Sequence, residues 1–267
     1  MGSYHTKQVL TKIGIFPGDT TPVADLRSLV QALRVTAIKK DMIRIGPDKD
    51  GGYLLPDDLD GVLHCFSPGV ADCSDFELDM VNRGMLAFLA DRSVDGPAVE
   101  HPRFRFIKKF LASIDDPADG LITLDTWYHE ELGSLSNNSP DAILQMDIEG
   151  CEYEVIHNMS ESLLNKFRVL VIEFHKLHQL TDEYSFKWMS RAFFKLLRTH
   201  AVVHLHPNNN RRAISYGGLA IPSTMEFTFL RRDRIQPANH TPVFPNQLDR
   251  KTIKTKPDLA LPTCWYA

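Results

Sequence analysis

The largely apolar run Ala142-Ile-Leu-Gln-Met146 stops abruptly at Asp147-Ile148-Glu149-Gly150, and a helical pattern begins at once. A short run of this kind predicts a strand buried on both faces, the habit of parallel sheets covered by helices. Two carboxylates then stand at the carboxyl edge of that strand. Ligands bind at that edge in open α/β sheets. A buried strand has little reason to end in two acids unless something nearby uses them.

The rest of the chain repeats the pattern. Apolar strands are expected at Gly61–Phe66, Met85–Ala90, Phe104–Leu111, Ala142–Met146, Val169–His175, Ala201–His206 and Met225–Leu230. Helices are expected between them, at Glu152–Leu164 and Ser185–Leu197 among others. One is expected after Ser74, with Ser74 as cap and Glu77 closing a capping box. Such alternation predicts an α/β fold with a mostly parallel sheet and helices on both faces. Upstream, Phe16-Pro17-Gly18-Asp19 reads as a turn. Thr21-Pro22 reads as a helix start, with Leu26, Leu29, Val30 and Leu33 on one face. Arg44–Leu55 reads as a hairpin around Gly51-Gly52. Residues 1–43 are therefore expected as a helical extension and 44–235 as the main domain. The Pro-, Asn- and Lys-rich residues 236–267 are expected as a surface tail. No internal repeat stands out.

Composition narrows the function. The chain has 267 residues, 34 acids against 30 bases, and a net charge of −4. No basic surplus points to nucleic acid or an anionic membrane. No segment approaches the roughly 20 apolar residues a bilayer span needs, and the N-terminus lacks the form of a secretory signal. Met1-Gly2-Ser3-Tyr4-His5-Thr6 fits the loose myristoylation pattern, which a plain N-terminus also fits. The four cysteines, Cys65, Cys73, Cys151 and Cys264, show neither metal-knuckle spacing nor a disulfide framework. Reduced thiols in a cytoplasmic protein are the expectation.

Chemistry-bearing residues collect at expected strand ends. Gly69, just past the first strand, lets backbone approach a ligand closely. A single glycine here rules out the three-glycine dinucleotide fingerprint. Asp91 ends the second strand, about 20 residues beyond the first turn, where an acid holds a ribose hydroxyl pair. A solvated loop acid is the plainer alternative. Asp147 and Glu149 either cap a helix or face a cationic ligand. Glu173 and His175, two apart, point to one side, as do His204 and His206.

Taken in order, these pieces resemble a known family. Asp147-Ile-Glu-Gly-Cys-Glu152 is similar to the Asp-x-Glu-Gly-x-Glu motif of FkbM-type methyltransferases. Arg44-Ile-Gly46 and Asp50-Gly-Gly-Tyr53 resemble an opening motif, and Ser67–Glu77 looks like the cofactor loop. Thr123-Leu-Asp125, Glu173-Phe-His175, His204–Asn209 and Glu226-Phe-Thr228 match later segments, so the likeness runs from about residue 44 to the end. One departure is Phe66-Ser-Pro-Gly69, where the family has Ser-Phe-Gly; Pro68 removes a backbone donor. The resemblance implies a class I methyltransferase fold of seven strands, the last antiparallel, and S-adenosyl-L-methionine as cofactor. It places the methionine part over Gly69, the ribose on Asp91 and the adenine near Asp125, with Gly52, Tyr53 and Asp147 also in the cofactor site.

The implied acceptor is a hydroxyl on a sugar, glycan or small natural product. An alcohol needs a base, for which His175 is the first candidate and His206 the second. Asp147 and Glu173 are placed to orient that base or to bind a divalent metal. Two rival readings stand beside this one. The first is a metal-dependent hydrolase built on Asp147, Glu173, His175, His204 and His206. The second is a non-catalytic binding protein on the same fold.

Overall fold

The computed structural model describes residues 18–136, 139–239 and 241–267. The Met1–Thr6 pattern and the Phe16-Pro17 half of the expected turn lie outside these. After helix α1 (Val23–Ala32), strands β1 (Met42–Ile45) and β2 (Tyr53–Pro56) pair as an antiparallel hairpin. Then follow β3 (His64–Pro68), α2 (Asp75–Asn82), β4 (Leu86–Ala90) and β5 (Phe104–Ile107). A short pair, β6 (Phe110–Leu111) and β7 (Leu121–Ile122), precedes α3 (Leu124–Leu132), β8 (Ala142–Met146), α4 (Glu152–Asn158) and α5 (Glu161–Leu164). The chain continues through β9 (Phe167–Phe174), α6 (Glu183–Thr199) and β10 (His200–Pro207). It closes with a small hairpin, β11 (Ile214–Tyr216) and β12 (Leu219–Ile221), then β13 (Met225–Arg231) and the C-terminal segment. Among the described residues no helix is long and apolar enough to cross a membrane.

Seven strands form one sheet in the order β10-β13-β9-β8-β3-β4-β5. The pairs from β9 through to β5 are parallel, while β13 runs antiparallel between β9 and β10. In chain order the seven strands read 3-2-1-4-5-7-6, the arrangement expected of a class I methyltransferase. The chain lays β4 and β5 outward on one side of β3, then returns to place β8 on the other side. The two following turns leave in opposite directions, so the carboxyl ends of β3 and β8 open into a crevice.

Alternating side chains of the sheet feed two cores. On one face Phe66, Phe88, Leu144, Leu170 and Ile172 pack with Leu26 and Leu29 of α1, Trp127 of α3, Ile156 of α4 and Phe193 of α6. Trp265, near the C-terminus, joins this core. On the other face Cys65, Ala87, Leu89, Ile143 and Val171 pack under Phe76 and Met80 of α2. The β1–β2 hairpin completes that second layer with Ile45, Tyr53 and Leu55, and Thr228 Oγ donates to Leu54 O at 2.6 Å. Helices do lie on both faces, but on the second a β-hairpin does half of the covering.

Several local expectations are corrected. Pro22, not Thr21, is the cap residue of α1, and the buried Thr21 hydroxyl donates instead to Leu180 O at 2.7 Å. The expected Ser74–Glu77 capping box does not form. Ser74 Oγ accepts from Ala98 N at 3.0 Å, and Glu77 turns inward to Ser67. The run Phe104–Leu111 splits, because Phe110 and Leu111 leave the sheet to pair with Leu121 and Ile122. The helix expected over Glu152–Leu164 breaks at Met159, and Ser160 restarts it by accepting from Leu163 N at 3.1 Å.

Charged groups brace the edge of the sheet opposite the crevice. Asp141 accepts from Arg168 Nε at 2.8 Å and from Arg231 Nη1 and Nη2 at 2.7 and 3.0 Å. Burial alone would raise the Asp141 pKa, but the two guanidinium groups hold it below the usual carboxylate range. A depressed carboxylate adds stability above its unfolded pKa and loses it as pH falls through the folded one. Asp141→Asn should therefore cost on the order of 2 kcal/mol in urea unfolding at neutral pH. The gap to wild type should close as pH drops below about 4. A gap unchanged across that range would show that charge is not what holds this edge.

Candidate active site

The seam between β3 and β8 is unusually tight. Gly69, the residue after β3, has φ +85°, and a Cβ placed there would lie 1.7 Å from Asp147 O. Asp147 N in turn donates to Pro68 O at 3.3 Å. Pro68 therefore sits at the last position of its strand and uses its carbonyl. The amides beyond it stay engaged, Gly69 N to Ala90 O and Ala71 N to Asp91 Oδ2, both at 2.9 Å. Only glycine lets two strand ends meet this closely.

Gly69 and Asp147 line two cavities at once. The larger, about 590 Å³, is lined mostly by apolar groups, including Phe110, Leu111, Leu121 and Ile148, with Asp91 and Ser93 on one wall. The 5% exposed Asp91 carboxylate accepts from Ala71 N, Ser93 N and Ser93 Oγ at 2.6–2.9 Å. The smaller, about 230 Å³, is polar and reaches Asp50, Tyr53, Glu77 and Gln145 under the hairpin. Gly69 and Asp91, 22 residues apart in sequence, thus share one pocket.

Asp147 stands where the cavities join. Its Oδ2 accepts from Tyr53 Oη at 3.4 Å, and its buried Oδ1 has no hydrogen-bond partner. Burial raises its pKa to about 7, with Glu149, Glu152 and Asp50 adding and His175 opposing. Beside it, His175 Nδ1 meets the fully buried Glu152 Oε1 at 3.0 Å. His175 Nε2 lies 3.8 Å from Asp147 Oδ1, 3.5 Å from Glu149 Oε2 and 3.5 Å from Glu173 Oε1. Burial would lower the His175 pKa, but this ring of carboxylates outweighs it and the pKa rises. Glu173 is pushed well above the carboxylate range, first by burial and then by Asp147 and Glu226. Glu149 is turned toward His175 by a left-handed backbone, φ +58°, which is uncommon outside glycine.

Four oxygens in this region, Asp147 Oδ1, Glu152 Oε2, Glu173 Oε2 and Glu77 Oε2, are buried without a hydrogen-bond partner. Buried polar groups are normally paired, so the site is short of donors and of positive charge. A cationic ligand carrying an apolar ring system fits both deficits and both cavities. Asp147, Glu149 and His175 also offer ligand atoms all within 4.8 Å of one another, as a metal would require.

Other expected residues stand elsewhere. Asp125 lies on α3, and its Oδ2 accepts from Ser160 N at 2.9 Å, so its carboxylate anchors the start of α5. It lines neither cavity, and the apolar pocket wall comes instead from Phe110, Leu111 and Leu121. Gly52 is a packing glycine, since a Cβ there would lie 2.1 Å from Pro47 O; its neighbours Gly51 and Tyr53 face the pocket. His206 is buried, with Nε2 donating to Arg250 O at 2.9 Å and Nδ1 3.6 Å from Asp249 Oδ2. Burial opposes the charge on His206, but Asp249 and Glu226 raise its pKa to about 9, which makes it a cation and removes it as a base. His204 donates to the same Asp249 at 2.9 Å. The five-residue metal set of a hydrolase is therefore not assembled, because the C-terminal segment engages both histidines.

Two residues without an expected role prove central. Glu152, the last acid of the Asp147–Glu152 motif, orients His175, and its spacing of three from Glu149 was the available signal. Glu77 enters the polar cavity, and its sequence context suggested only a cap.

Among curated proteins none matches the chain significantly. Solved structures that share parts of its architecture include a putative DNA modification methyltransferase encoded within a prophage (E. coli), at 10% identity and TM-score 0.39. The match covers 66% of this chain and 52% of that one. A putative methyltransferase from an antibiotic biosynthesis pathway of Anabaena variabilis shows 13% identity, TM-score 0.27, and coverage of 55% and 60%. A single-site mutant of the 16S rRNA (adenine(1408)-N(1))-methyltransferase from Catenulisporales acidiphilia shows 11% identity, TM-score 0.31, and coverage of 76% and 100%. The chain thus spans little more than half the length of the first two. The fold assignment rests on the strand order itself. Residues 120–198 match the model described as the methyltransferase FkbM domain, a span holding Thr123-Leu-Asp125, the Asp147–Glu152 motif and the Glu173–His175 strand end but not the resembling segments before residue 120 or after 198. The chain accordingly has the strand order of a class I methyltransferase fold, and within it residues 120–198 are similar to the FkbM methyltransferase domain.

Proposed function

We propose that this protein transfers a methyl group from S-adenosyl-L-methionine to a hydroxyl oxygen on a sugar, glycan or small natural product. The observation that carries this is the Gly69–Asp147 seam, shared by an apolar cavity with Asp91 on its wall and an acidic cavity beside His175. Asp91 would hold the ribose, since a carboxylate keeps lone-pair capacity beyond its three present donors. Phe110, Leu111 and Leu121 would flank the adenine. The cofactor, when bound, supplies an activated methyl on a cationic sulfur.

The chain's own residues supply alignment and a base. Holding an acceptor oxygen in line contributes several kcal/mol through proximity. His175 takes the hydroxyl proton on Nε2, while Glu152 accepts from Nδ1–H and supports the imidazolium that forms. The surrounding carboxylates raise its pKa, so the ring becomes available as a base only above the ordinary histidine range. Asp147 would lie beside the cationic sulfur. The exposed acids Asp50 and Glu149 disfavour anionic acceptors, which favours a neutral polyol over nucleic acid.

A second reading places a divalent ion on Asp147, Glu149 and His175, favoured by the convergence of their ligand atoms. His175 would then be a ligand and the ion would acidify the hydroxyl.

His175→Ala should keep S-adenosylhomocysteine affinity while turnover falls ~10²–10⁴-fold. In wild type, turnover should rise with pH through a midpoint above the ordinary histidine value of about 6.5, because the unprotonated ring is required. Normal turnover by the variant would remove His175 as the base. Asp91→Ala should weaken S-adenosylhomocysteine binding about 10-fold or more by calorimetry, and unchanged affinity would end the ribose assignment. For the metal reading, Mn²⁺ or Mg²⁺ should raise the melting temperature of wild type but not of Glu149→Ala. An equal response from both proteins would exclude this metal site.

A further inference from the structure

Helix α6 carries a surface that neither the core nor the candidate site uses. Its inner face fills the core with Met189, Ala192, Phe193 and Leu196. Its outer face leaves Tyr184, Trp188 and Phe194 in solvent, 83%, 46% and 46% exposed. Among the described residues one further aromatic side chain, Phe110, is comparably exposed, and it lines the larger cavity. The three α6 rings line neither cavity of the site. Exposed rings gathered on one element, rather than scattered, mark a contact surface. The Trp188 indole is also held in place there. His157 of α4 lies against it, ring centroids 4.1 Å apart, with Nε2 3.0 Å from Trp188 O.

Bases alternate with these rings. Lys187, Arg191, Lys195 and Arg198 recur at helical spacing, so the stripe from residue 184 to 198 runs about 21 Å along the outer face. Glu183 is the one acid of the helix. It holds Lys187 at 2.5 Å, and Glu161 of α5 holds Arg198 at 2.7 Å, but exposed pairs of this kind are weak. Lys195 donates to the carbonyls of His157 and Met159. Arg191 is exposed and forms none of the ion pairs found among the described residues.

Rings and bases together select the chemistry of a partner. The whole chain carries a net charge of −4, so the positive stripe is a local feature and not part of a general surplus. A second copy of the chain would set these bases against each other across a two-fold axis. A nucleic acid draws its affinity from many phosphate contacts, whereas two of the four bases here already have acid partners. A ridge of aromatic rings flanked by bases fits the headgroup region of an anionic bilayer. There the rings settle at the polar–apolar boundary and the bases meet lipid phosphates. We infer that the outer face of α6, through Tyr184, Trp188, Phe194 and Arg191, docks this protein on an anionic lipid surface. The inference stands apart from the methyl-transfer reading. Because α6 begins one short turn after β9 ends, the docked ridge starts on the crevice side of the sheet.

Trp188 doubles as the reporter. The other two tryptophans, Trp127 and Trp265, are fully buried, so an emission change on docking comes from Trp188. The full chain is mixed with phosphatidylcholine vesicles made with or without phosphatidylserine. It should sediment with the phosphatidylserine vesicles, show a blue shift in emission, and release as salt rises. Tyr184→Ser and Arg191→Glu should each weaken vesicle binding about fivefold or more, with the melting temperature unchanged, and Arg191→Lys should keep it. Failure to sediment with phosphatidylserine vesicles, equal binding to both vesicle types, binding without an emission shift, or variants that bind like wild type would overturn the inference. So would a single-stranded oligonucleotide that shifts the emission and displaces the vesicles, which would assign the face to nucleic acid.

Discussion

The close approach of Gly69 to Asp147 is the contact on which the site depends. Parallel pairing sets β3 and β8 side by side, and both strands end at the same level. Because the chain turns away from β3 in one direction and from β8 in the other, the space above them stays open. The missing Cβ lets the Asp147 carbonyl sit against the Gly69 backbone. That contact places one acid in the wall of two cavities, so a ligand spanning both must pass it.

Around this point the protein concentrates like charge. Asp147, Glu149, Glu152, Glu173 and Glu226 converge from the turn after β8, the start of α4, β9 and β13, with burial raising Asp147 to about 7 and Glu226 to about 8. Cations answer some of these acids. His206 rises to about 9 between Asp249 and Glu226, and His175 is raised by the acids around it. Four carboxylate oxygens, one each on Asp147, Glu152, Glu173 and the nearby Glu77, remain unpaired. Such an arrangement is expensive for folding alone, and it supports the proposal of a ligand with a positive centre.

Reading the chain residue by residue recovered most of this framework and misplaced some of its detail. The Ala142–Met146 strand and the acids after it stand where their pattern put them, because an apolar run ending in charge has few places to go. The base candidate His175 was legible as the second of two polar residues ending an apolar strand. Asp125 and His206 looked equivalent to such residues on paper. Asp125 faces the backbone start of α5 instead, and His206 is enclosed by Asp249 and Arg250 from a segment more than 40 residues further on. Local pattern carries no information about contacts made across such distances.

Periodicity, turn residues and the placement of acids at strand ends were enough by themselves to set the alternating architecture, the sheet edge where the acids gather and the family resemblance. These depend on neighbours a few residues apart, where burial and backbone geometry act locally. The tertiary structure alone decided which acids meet. It turned Glu77 from a helix cap into the floor of a cavity, set Glu152 behind His175, and replaced half of one helical layer with a hairpin. For Glu77 and Glu152 the deciding energy was the pairing of a buried polar group with a residue on another element, and for the hairpin it was apolar burial against the sheet; both are settled only once the layers have packed.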